Sequence, residues 1–466
     1  MSHTATKKIE YNNAKPWQLV AFAFNNSSTN AQYFMFLLFF MFFCTENLGL
    51  NPVVVGLMTT LARVFDGFTD PIIGLLIDKT NTKFGKFRPF IAIGTVIMSI
   101  SLVSLFWGAQ FDSMTARYVW VGVWNVIWVI GYTCSTACTK GAQAILTNNP
   151  KQRPLLGGVD AVLTNFLVLL VFSFGFVILN KFGGVVALDS FRKMAMLLVG
   201  ISVTCATIAI AGIWEKDNEK NYTTDKNAKK VKITDYFSII KGNKALQMLI
   251  VAASTNKIAQ TTTSAAVAYF FMIVVGNTDL QAVVTAPAQM VGLAGVAISI
   301  FLAVRISKKT SFVIGSWASI AALATAIILR PFSEATLLPF ILIMSGIKLT
   351  EVVANSNVIP MIADATDYEH WKTGRFAPGM IGTAFSFVDK MISSISGLLV
   401  GGVLGLANYT AGMEVTPTLY WAIIGLYFGI ALLGHVASVL AMRKYPIDRE
   451  FYNQMVVDMN EKKNAA

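Results

Sequence analysis

Three charged side chains lie close together in one apolar segment of the chain and could bind a cation. Arg63, Asp66 and Asp70 fall within about two helical turns of one another. Positions spaced in this way share one face of a helix. Two neighbouring carboxylates in a low-dielectric setting repel each other, so the pair favours a bound proton or a bound cation. Because a charge at the centre of a membrane helix costs about 2.5–3.5 kcal/mol, the three charges together indicate a functional site.

The residue that follows the second carboxylate adds to this prediction. Pro71 has no N–H, so the carbonyl of Gly67 loses its usual helical donor and becomes a possible oxygen ligand for Na⁺. A structural alternative stays open, in which both carboxylates pair with Arg63 and other basic residues and hold helices together. The sequence therefore predicts a site for H⁺ or Na⁺ at Asp66 and Asp70, with no other metal and no cofactor.

The composition places these residues in a membrane. Of the 466 residues 55% are hydrophobic and only 13% are charged, and the mean hydropathy is +0.60. Soluble globular chains carry about a quarter charged residues, so this composition predicts an integral membrane protein. The net charge of +12 follows from loop composition and does not indicate nucleic acid as a partner. The four cysteines fall in apolar segments and the three histidines are scattered, so we expect no catalytic or metal centre built on them.

Apolar runs of about 20 residues recur along the whole chain and predict an all-α fold of twelve transmembrane helices in two six-helix bundles. The expected domains are an N-terminal bundle (1–214), a linker (215–244), a C-terminal bundle (245–442) and a tail (443–466). The predicted spans are 17–44, 52–77, 88–109, 117–143, 155–180, 191–214, 245–275, 279–304, 311–331, 336–360, 378–407 and 417–442.

The distribution of basic residues predicts the orientation. If the N-terminus is cytoplasmic, the cytoplasmic segments hold most of the 37 lysines and arginines. The opposite loops then hold few. The positive-inside rule therefore predicts a multi-pass protein of the plasma membrane with both termini in the cytoplasm, and lipid as a partner. The basic residues of the opposite loops are Arg117, Lys181, Arg192, Lys193 and Arg330.

Other predicted spans carry polar side chains that suit a polyhydroxylated ligand. The first span holds the block 25–30, the fourth holds Thr136 and Lys140, and the fifth holds Asp160. Each sugar hydroxyl donates and accepts, and an unpaired buried partner costs about 1–3 kcal/mol. The alternative stays open that Ser and Thr bond to their own backbone and pack between helices. Whether Lys140, Lys257, Lys348 and Glu351 are functional or structural also stays open.

Three motifs carry a resemblance to a known family. The first is RVFDGFTDPIIG followed by TKFGKFRPF at Arg63–Phe90, which includes a loop similar to the Gly-x-x-x-Asp-Arg/Lys loop of the major facilitator superfamily. The second is ADATDYEHWKTGR at Ala363–Arg375 with FSFVDK at Phe385–Lys390, and the third is YPIDREF at Tyr445–Phe451. The chain resembles the glycoside–pentoside–hexuronide:cation symporters over its whole length.

The resemblance implies roles for particular residues. Asp66 and Asp70 match the carboxylates that hold the coupling cation, and Thr133 matches a threonine that assists them. Arg63 and Lys390 match basic residues beside the cation and sugar sites. The residues that match the cytoplasmic gating loop of the family are Asp364, Asp367, Tyr368, Glu369 and Arg375.

The sequence departs from the melibiose permease pattern where that permease binds its sugar. Asn30 and Thr136 stand at positions of sugar-binding aspartates, and Lys140 replaces a tryptophan. The expected arginine of the fifth span falls at Ala161, beside Asp160. We therefore do not expect melibiose as the substrate. Lys140 either suits an acidic sugar such as a hexuronide or pairs with Asp160.

The leading hypothesis is a secondary active transporter that couples H⁺ or Na⁺ to symport of a sugar, glycoside or hexuronide. The substrate-binding candidates are Asn30, Arg63, Thr136, Lys140, Asp160 and Lys390. One alternative is a symporter of lysolipids or other organic solutes with the same fold. The other is a non-transporting membrane sensor, which the absence of a signalling domain disfavours. No nucleophile–base pair or phosphate loop supports an enzyme.

Overall fold

The computed structural model describes residues 12–107, 111–147, 149, 152–218, 233–374 and 378–465. These residues are helical throughout, joined by short turns, and they contain no strand beyond an isolated bridge between Thr82 and Gly85. Because lipid offers backbone groups no hydrogen bonds, helices that satisfy their own N–H and C=O groups are the expected solution for so apolar a chain. The predicted all-α membrane fold is confirmed.

The first part of the chain forms seven helices. A π-helical turn at Phe43–Asn47 extends the first, and another at Leu169–Ser173 joins the fifth to the sixth. The helices are α1 (Pro16–Phe42), α2 (Pro52–Lys79), α3 (Arg88–Trp107), α4 (Met114–Leu146), α5 (Gln152–Val168), α6 (Phe174–Phe182) and α7 (Leu188–Ile213).

The second part forms eleven helices. π-helical turns at Phe270–Val274 and Gly425–Gly429 continue two of them. The helices are α8 (Ile233–Gly242), α9 (Lys244–Tyr269), α10 (Leu280–Arg305), α11 (Lys308–Leu329), α12 (Leu337–Asn355), α13 (Val358–Thr373), α14 (Pro378–Ser393), α15 (Ile395–Leu406), α16 (Pro417–Ile424), α17 (Ile430–Arg443) and α18 (Arg449–Ala465).

Each of the twelve predicted spans coincides with a helix or with helices joined end to end. Among the described residues, ten helical stretches are long and apolar enough to cross a membrane. The two spans outside that set are α2 and α9. The first carries Arg63, Asp66 and Asp70, and the second is rich in Thr, Asn, Gln and Lys. Charged and polar side chains thus keep these two helices outside the apolar set.

Three segments predicted to be irregular contain helices. The predicted gating loop is α13, which ends where Gly374 adopts φ +75°. The predicted linker contains α8, and the tail contains α18. Hydropathy detects membrane spans, whereas a short helix of mixed polarity gives no apolar run of the required length.

The chain divides into two compact units. The first unit comprises Met1–Phe36, Phe68–Val171 and Leu188–Ala228, and its apolar core includes Phe22, Ile91 and Leu146. The second unit comprises Leu37–Gly67, Phe172–Ala187 and Lys229–Ala466, with a core that includes Leu249, Phe312 and Met361. α2 contributes its beginning to the second unit and its end to the first. The predicted division into bundles at 1–214 and 245–442 stays a prediction.

Within the second unit, the beginning of α2 lies against α15 at very short range. A Cβ atom at Gly56 would overlap the carbonyl oxygen of Gly397 and would come 3.1 Å from the Cα of Gly401. Such an approach requires glycine on both helices, as in other small-residue contacts between membrane helices. This contact fixes the part of α2 that leads to Arg63 and Asp66.

Candidate functional site: the charged face of α2 and the polar face of α1

The charged stripe predicted from the sequence lies on one continuous helix. α2 runs from Pro52 to Lys79 and includes Pro71 in its interior, so Arg63, Asp66 and Asp70 project from successive turns. Because Pro71 lacks an N–H, the Gly67 carbonyl between the two carboxylates has no i+4 donor. The helix therefore presents two carboxylates and one backbone oxygen within a single turn.

In the second unit Asp66 is held between two cationic side chains. Its side chain is 1% exposed, the lowest exposure in the trio, and its Oδ2 lies 3.2 Å from Lys390 Nζ and 3.5 Å from Arg63 Nη1. A buried carboxylate requires such partners, since an unpaired buried charge costs several kcal/mol. The structure thus brings Lys390, which is distant in sequence, to the stripe that the sequence predicted on α2. Asp66 therefore pairs with Arg63 and a second basic residue, as the structural alternative in the sequence analysis predicted.

Two contacts place Lys390 beside Asp66. A Cβ atom at Gly67 would overlap Met391 Cε, which shows how closely α2 approaches α14. Where α14 ends, the hydroxyl of Thr60 donates to the carbonyl of Ser394 (3.0 Å) and accepts from the N–H of Leu398 (3.1 Å). Thr60 thus satisfies backbone groups at the break between α14 and α15. The break and the close approach together position Lys390 on α14.

In the first unit Asp70 is half-buried, and the threonines beside it are engaged with each other. The hydroxyls of Thr69 and Thr133 lie 3.1 Å apart, and Thr133 also donates to the carbonyl of Val129 (3.0 Å). Thr133 is fully buried on α4. Its predicted role as a residue that assists the cation site stays a prediction.

The polar block of α1 has a structural part and a part that suits a ligand. Asn25 donates to the hydroxyl of Thr139 (2.7 Å), and Thr29 and Ser135 share a hydrogen bond of 2.8 Å. These buried contacts hold α1 to α4. The predicted structural alternative for Thr136 is also observed, because its hydroxyl donates to the Tyr132 carbonyl of its own helix (2.9 Å).

The other side of the block faces α5 and an incompletely paired carboxylate. Asn26 donates to Asp160 Oδ2 (3.1 Å), and Asn26 and Asn30 both lie 3.4 Å from the hydroxyl of Thr164. Asp160 Oδ1 is buried and has no hydrogen-bond partner within the part of the chain that the structure describes. A buried acceptor of this kind favours a ligand that donates a hydroxyl. The side chain of Lys140, the other candidate here, lies outside the described residues.

A ladder of stacked aromatic rings lies between α1 and α4, close in sequence to Asn30 and Thr136. Tyr132 stacks on Tyr33 at 5.4 Å and on Trp128 at 5.3 Å, and Trp128 stacks on Phe36 at 4.6 Å. Trp128 is 2% exposed, so it is not an interfacial anchor, the role that aromatic residues near membrane surfaces usually have. Sequence reasoning missed this ladder, although the four-residue spacing of Trp128 and Tyr132 on one helix was a usable signal.

Four of the five predicted gating residues lie on α13, which contacts α11 and α18 in the second unit. Asp364 Oδ1 pairs with Lys308 Nζ at 2.5 Å, and Asp367 Oδ2 accepts from the hydroxyl of Tyr452 at 3.4 Å. Tyr368, between the rings of Trp371 and Phe451, is buried, as is Glu369. Their gating role stays a prediction, and Arg375 lies outside the described residues.

The sequence analysis did not identify Asp217, which organises the loop between α2 and α3. This buried carboxylate accepts the N–H groups of Lys86 (2.9 Å), Phe87 (3.0 Å) and Arg88 (2.9 Å), and it pairs with the Arg88 guanidinium (3.4 Å). It thereby satisfies donors at the beginning of α3 and complements the positive end of the helix dipole. An acidic residue just after a membrane span was the available signal.

Gly85 allows this loop to approach the Asp217 carboxylate closely. Its φ of +93° lies in the region that glycine adopts without strain, and a Cβ atom there would overlap the Asp217 carboxylate. The Gly-Lys-Phe-Arg sequence of the motif therefore forms a cradle of backbone N–H groups around one carboxylate.

These observations define the class of protein. Long apolar helices carry buried charges and amides, and the described residues contain no group of three or more His, Cys, Asp or Glu that could hold a metal ion. This is the arrangement of a multi-pass membrane protein that admits polar solutes.

The chain belongs to the MFS/sugar transport protein family, whose family model matches residues 21–449. The predicted resemblance is thereby confirmed, and the chain is a membrane transporter of this family and not an enzyme. It is 26% identical to the glucuronide carrier protein homolog of Escherichia coli (strain K12), with 96% of each chain covered. It is 23% identical to the isoprimeverose transporter of Lactiplantibacillus pentosus, with 98% of this chain and 94% of the relative covered.

Solved structures agree with the fold. A bacterial homolog of the human lysosomal transporter Spinster, in an inward-facing and unoccupied conformation, superposes with a TM-score of 0.65 at 15% identity. The match covers 96% of this chain and 99% of the other. At this level of identity the similarity concerns the fold alone.

Proposed function

We propose that this protein couples the movement of H⁺ or Na⁺ to symport of a sugar, glycoside or hexuronide by alternating access. The observation that carries the proposal is the buried Asp66 carboxylate on a membrane helix, within 3.2 Å of Lys390 and 3.5 Å of Arg63. Buried ionisable groups in membrane spans mark ion pathways as a rule. The names of the relatives, a glucuronide carrier homolog and an isoprimeverose transporter, support a sugar as the cargo.

The pairing of Asp66 suggests how the cation acts. In the described arrangement the Lys390 ammonium neutralises the carboxylate from 3.2 Å. A proton on Asp66, or Na⁺ bound by the α2 oxygens, removes that negative charge and with it the attraction for the ammonium. Lys390 is then available as a donor to a substrate hydroxyl or carboxylate. Exchange of partners at Asp66 would thus make substrate affinity depend on the cation.

The membrane potential supplies part of the driving force under this proposal. A cation that crosses with the substrate gains about 2.3 kcal/mol per 100 mV. We place the protein in the plasma membrane with both termini in the cytoplasm, because the predicted cytoplasmic segments hold most of the lysines and arginines.

The polar face of α1 supports a hydroxylated cargo over a lysolipid. Asn26, Asn30, Thr164 and Asp160 offer amide donors, hydroxyls and one buried acceptor without a partner. Such groups match the alternating donors and acceptors of a sugar. A lysolipid would instead require a long apolar channel beside its headgroup.

Uptake into proteoliposomes tests the proposal. The purified protein is screened with labelled monosaccharides, disaccharides, uronides and lysolipid, each with and without an inward Na⁺ gradient or an inward pH gradient. We expect accumulation of a sugar or uronide that depends on one of the two gradients. Accumulation of lysolipid without any sugar would contradict the assignment of the cargo, and gradient-independent equilibration would contradict symport.

Asp160→Asn tests the assignment of the sugar-binding face. Loss of a charge-assisted hydrogen bond to a substrate hydroxyl is expected to weaken substrate affinity roughly 10–100-fold, since such bonds contribute about 1.5–3 kcal/mol. The apparent affinity for the coupling cation should not change. Substrate and cation titrations of uptake provide both values, with the exposed Asp112→Asn as the control. Equal affinity in the two variants would exclude Asp160 from the substrate site.

A further inference from the structure

A small cavity in the second unit lies where α18 meets the beginning of α11. Its volume is about 190 Å³. It is formed by the turn between α10 and α11, by α13, and by the chain from Tyr445 into α18. The charged and phenolic side chains that line it are Lys308, Lys309, Asp364, Tyr445, Asp448, Arg449 and Tyr452. None of the candidate cation or sugar residues lines this cavity.

The two carboxylates of the cavity already have partners. Asp364 pairs with Lys308 at 2.5 Å. Asp448 Oδ1 accepts the N–H of Phe451 at 2.9 Å and so caps α18. The charge of Asp364 is thus balanced by Lys308, whereas the partner of Asp448 is a neutral N–H group.

The remaining two cations have neutral partners. Lys309 Nζ donates to the carbonyl of Tyr445 (2.7 Å), and Arg449 Nη1 donates to the carbonyl of Arg305 (2.7 Å). Neither pairs with a carboxylate among the described residues. A carbonyl accepts a hydrogen bond but does not neutralise the charge. Asp448 keeps its negative charge for the same reason, so the three cations and two carboxylates that line the cavity leave it a net charge of +1.

Backbone groups add donors at the same place. Ser307 caps α11, and its hydroxyl oxygen accepts the N–H of Thr310 at 2.9 Å. The N–H groups of Lys308 and Lys309 belong to the first helical turn and have no intrahelical acceptor. With the helix dipole they favour an anion at this end of α11.

An independent observation comes from Tyr445. This residue lines the cavity, is 2% exposed, and its hydroxyl has no hydrogen-bond partner within the described chain. Burial, and then the nearby Asp364, raises the pKa of the Tyr445 hydroxyl, so that it keeps its proton and remains a donor. An unsatisfied buried donor on a residue that lines a positively charged cavity favours an acceptor-rich ligand.

We propose that this cavity binds a phosphate group, with Lys309, Arg449, the Tyr445 hydroxyl and the beginning of α11 as its donors. Phosphate offers several strong acceptor oxygens and the negative charge that these groups lack. A bound phosphate would connect α11 to α18 and so fix the tail against the second unit. The phosphate could belong to a lipid headgroup or to a soluble molecule, and the two sources share this chemistry.

Binding is measured on the purified full-length protein with two probes. One probe is inorganic phosphate in neutral detergent, compared with chloride at equal ionic strength. The other is a vesicle of phosphatidylcholine with or without phosphatidylglycerol. The readouts are the melting temperature and the hydrogen-exchange protection of α18. We expect a saturable rise in both with at least one probe. A response to phosphate identifies a soluble source, and a response to phosphatidylglycerol alone identifies a headgroup.

A charge-matched pair of variants separates a site from general electrostatics. Lys309→Gln with Arg449→Gln should weaken the apparent affinity roughly tenfold or more, since charge-assisted bonds are lost. Arg443→Gln with Lys444→Gln removes the same charge from exposed positions that do not line the cavity, and should leave the affinity unchanged. Equal responses of the two pairs, or no response of the native protein to either probe, would overturn the proposal.

A milder variant decides the question if the first pair does not fold. Tyr445→Phe keeps the ring and all charges and removes only the unpartnered hydroxyl. We expect about a threefold loss of apparent affinity from one lost hydrogen bond, and an unchanged affinity would overturn the proposal. No readout here depends on sugar uptake, so the outcome is independent of the proposed transport function.

Discussion

Asp66→Asn is expected to abolish uphill accumulation of substrate while the protein still inserts and folds. The change removes the only charge of the side chain that Lys390 and Arg63 approach at 3.2 and 3.5 Å. An amide cannot take up a proton in the physiological range, and it is a weaker ligand for Na⁺ than a carboxylate. Without exchange of partners at this position, the cation gradient has no group through which to act on the substrate.

Uptake into proteoliposomes under the active gradient measures this effect, and substrate equilibration without a gradient measures what remains. Asp189→Asn is the matched control, because Asp189 also pairs with a lysine, Lys193 at 2.6 Å, but on an exposed surface. Native accumulation by Asp66→Asn would remove this carboxylate from the mechanism. Accumulation lost equally in the control would point to a general effect of the lost charge.

A double variant distinguishes a functional Asp66–Lys390 pair from a purely structural one. Asp66→Asn alone leaves the Lys390 and Arg63 cations without their carboxylate, which destabilises the fold. Adding Lys390→Gln removes one of the two cations that paired with Asp66, and we expect it to restore part of the melting temperature. If the pair were only structural, the double variant would also recover uphill uptake. Under the proposed function it recovers stability alone.

Asp217→Ala is expected to produce the largest loss of stability among the substitutions considered. Removing one partner of a buried ion pair costs about 3–5 kcal/mol, and here three backbone N–H groups also lose their acceptor. The Arg88 guanidinium, which stacks on Trp214 at 4.3 Å, keeps its place without its counter-charge. The beginning of α3 and the loop that precedes it should therefore loosen together.

Thermal unfolding in detergent and hydrogen exchange over residues 80–95 measure the two effects. Glu215→Ala is the matched control, since Glu215 lies two residues away but pairs with Lys15 at an exposed site. Exposed pairs contribute about 0–1 kcal/mol, so this control should change the melting temperature little. A similar small change in Asp217→Ala would show that the loop does not depend on this carboxylate.

The charges on α2 could be found from the sequence because polar groups are rare and costly in apolar spans. The same cost makes the helices easy to locate, and each predicted span coincides with a helix. Helix α13 was expected to be a loop, since its mixed composition gives no apolar run. Hydropathy identifies helices that cross the lipid, but it does not distinguish a helix from a loop at the membrane surface.

The pairing of Asp66 with Arg63 was a predicted alternative, but the partners that come from other helices could not be derived from residue spacing. Lys390 and Asp66 are separated by most of the chain, and the packing of α2 against α14 and the beginning of α15 brings them to 3.2 Å. Asp217 lay in a predicted linker, and its role depends on where the beginning of α3 meets the end of α7. Spacing along one helix predicts a face, whereas contact between helices depends on close packing at a few positions.

By itself the sequence determined the class of protein, the helices and the charged face of α2, because composition and helical periodicity are local properties. The tertiary structure decided that Asp66 is held by Lys390 and Arg63, that Asp160 retains an acceptor without a partner, and that Asp217 caps α3. Apart from Arg63 with Asp66, which are three residues apart on α2, these contacts join distant parts of the chain, and their energies arise from burial and distance that no local pattern encodes.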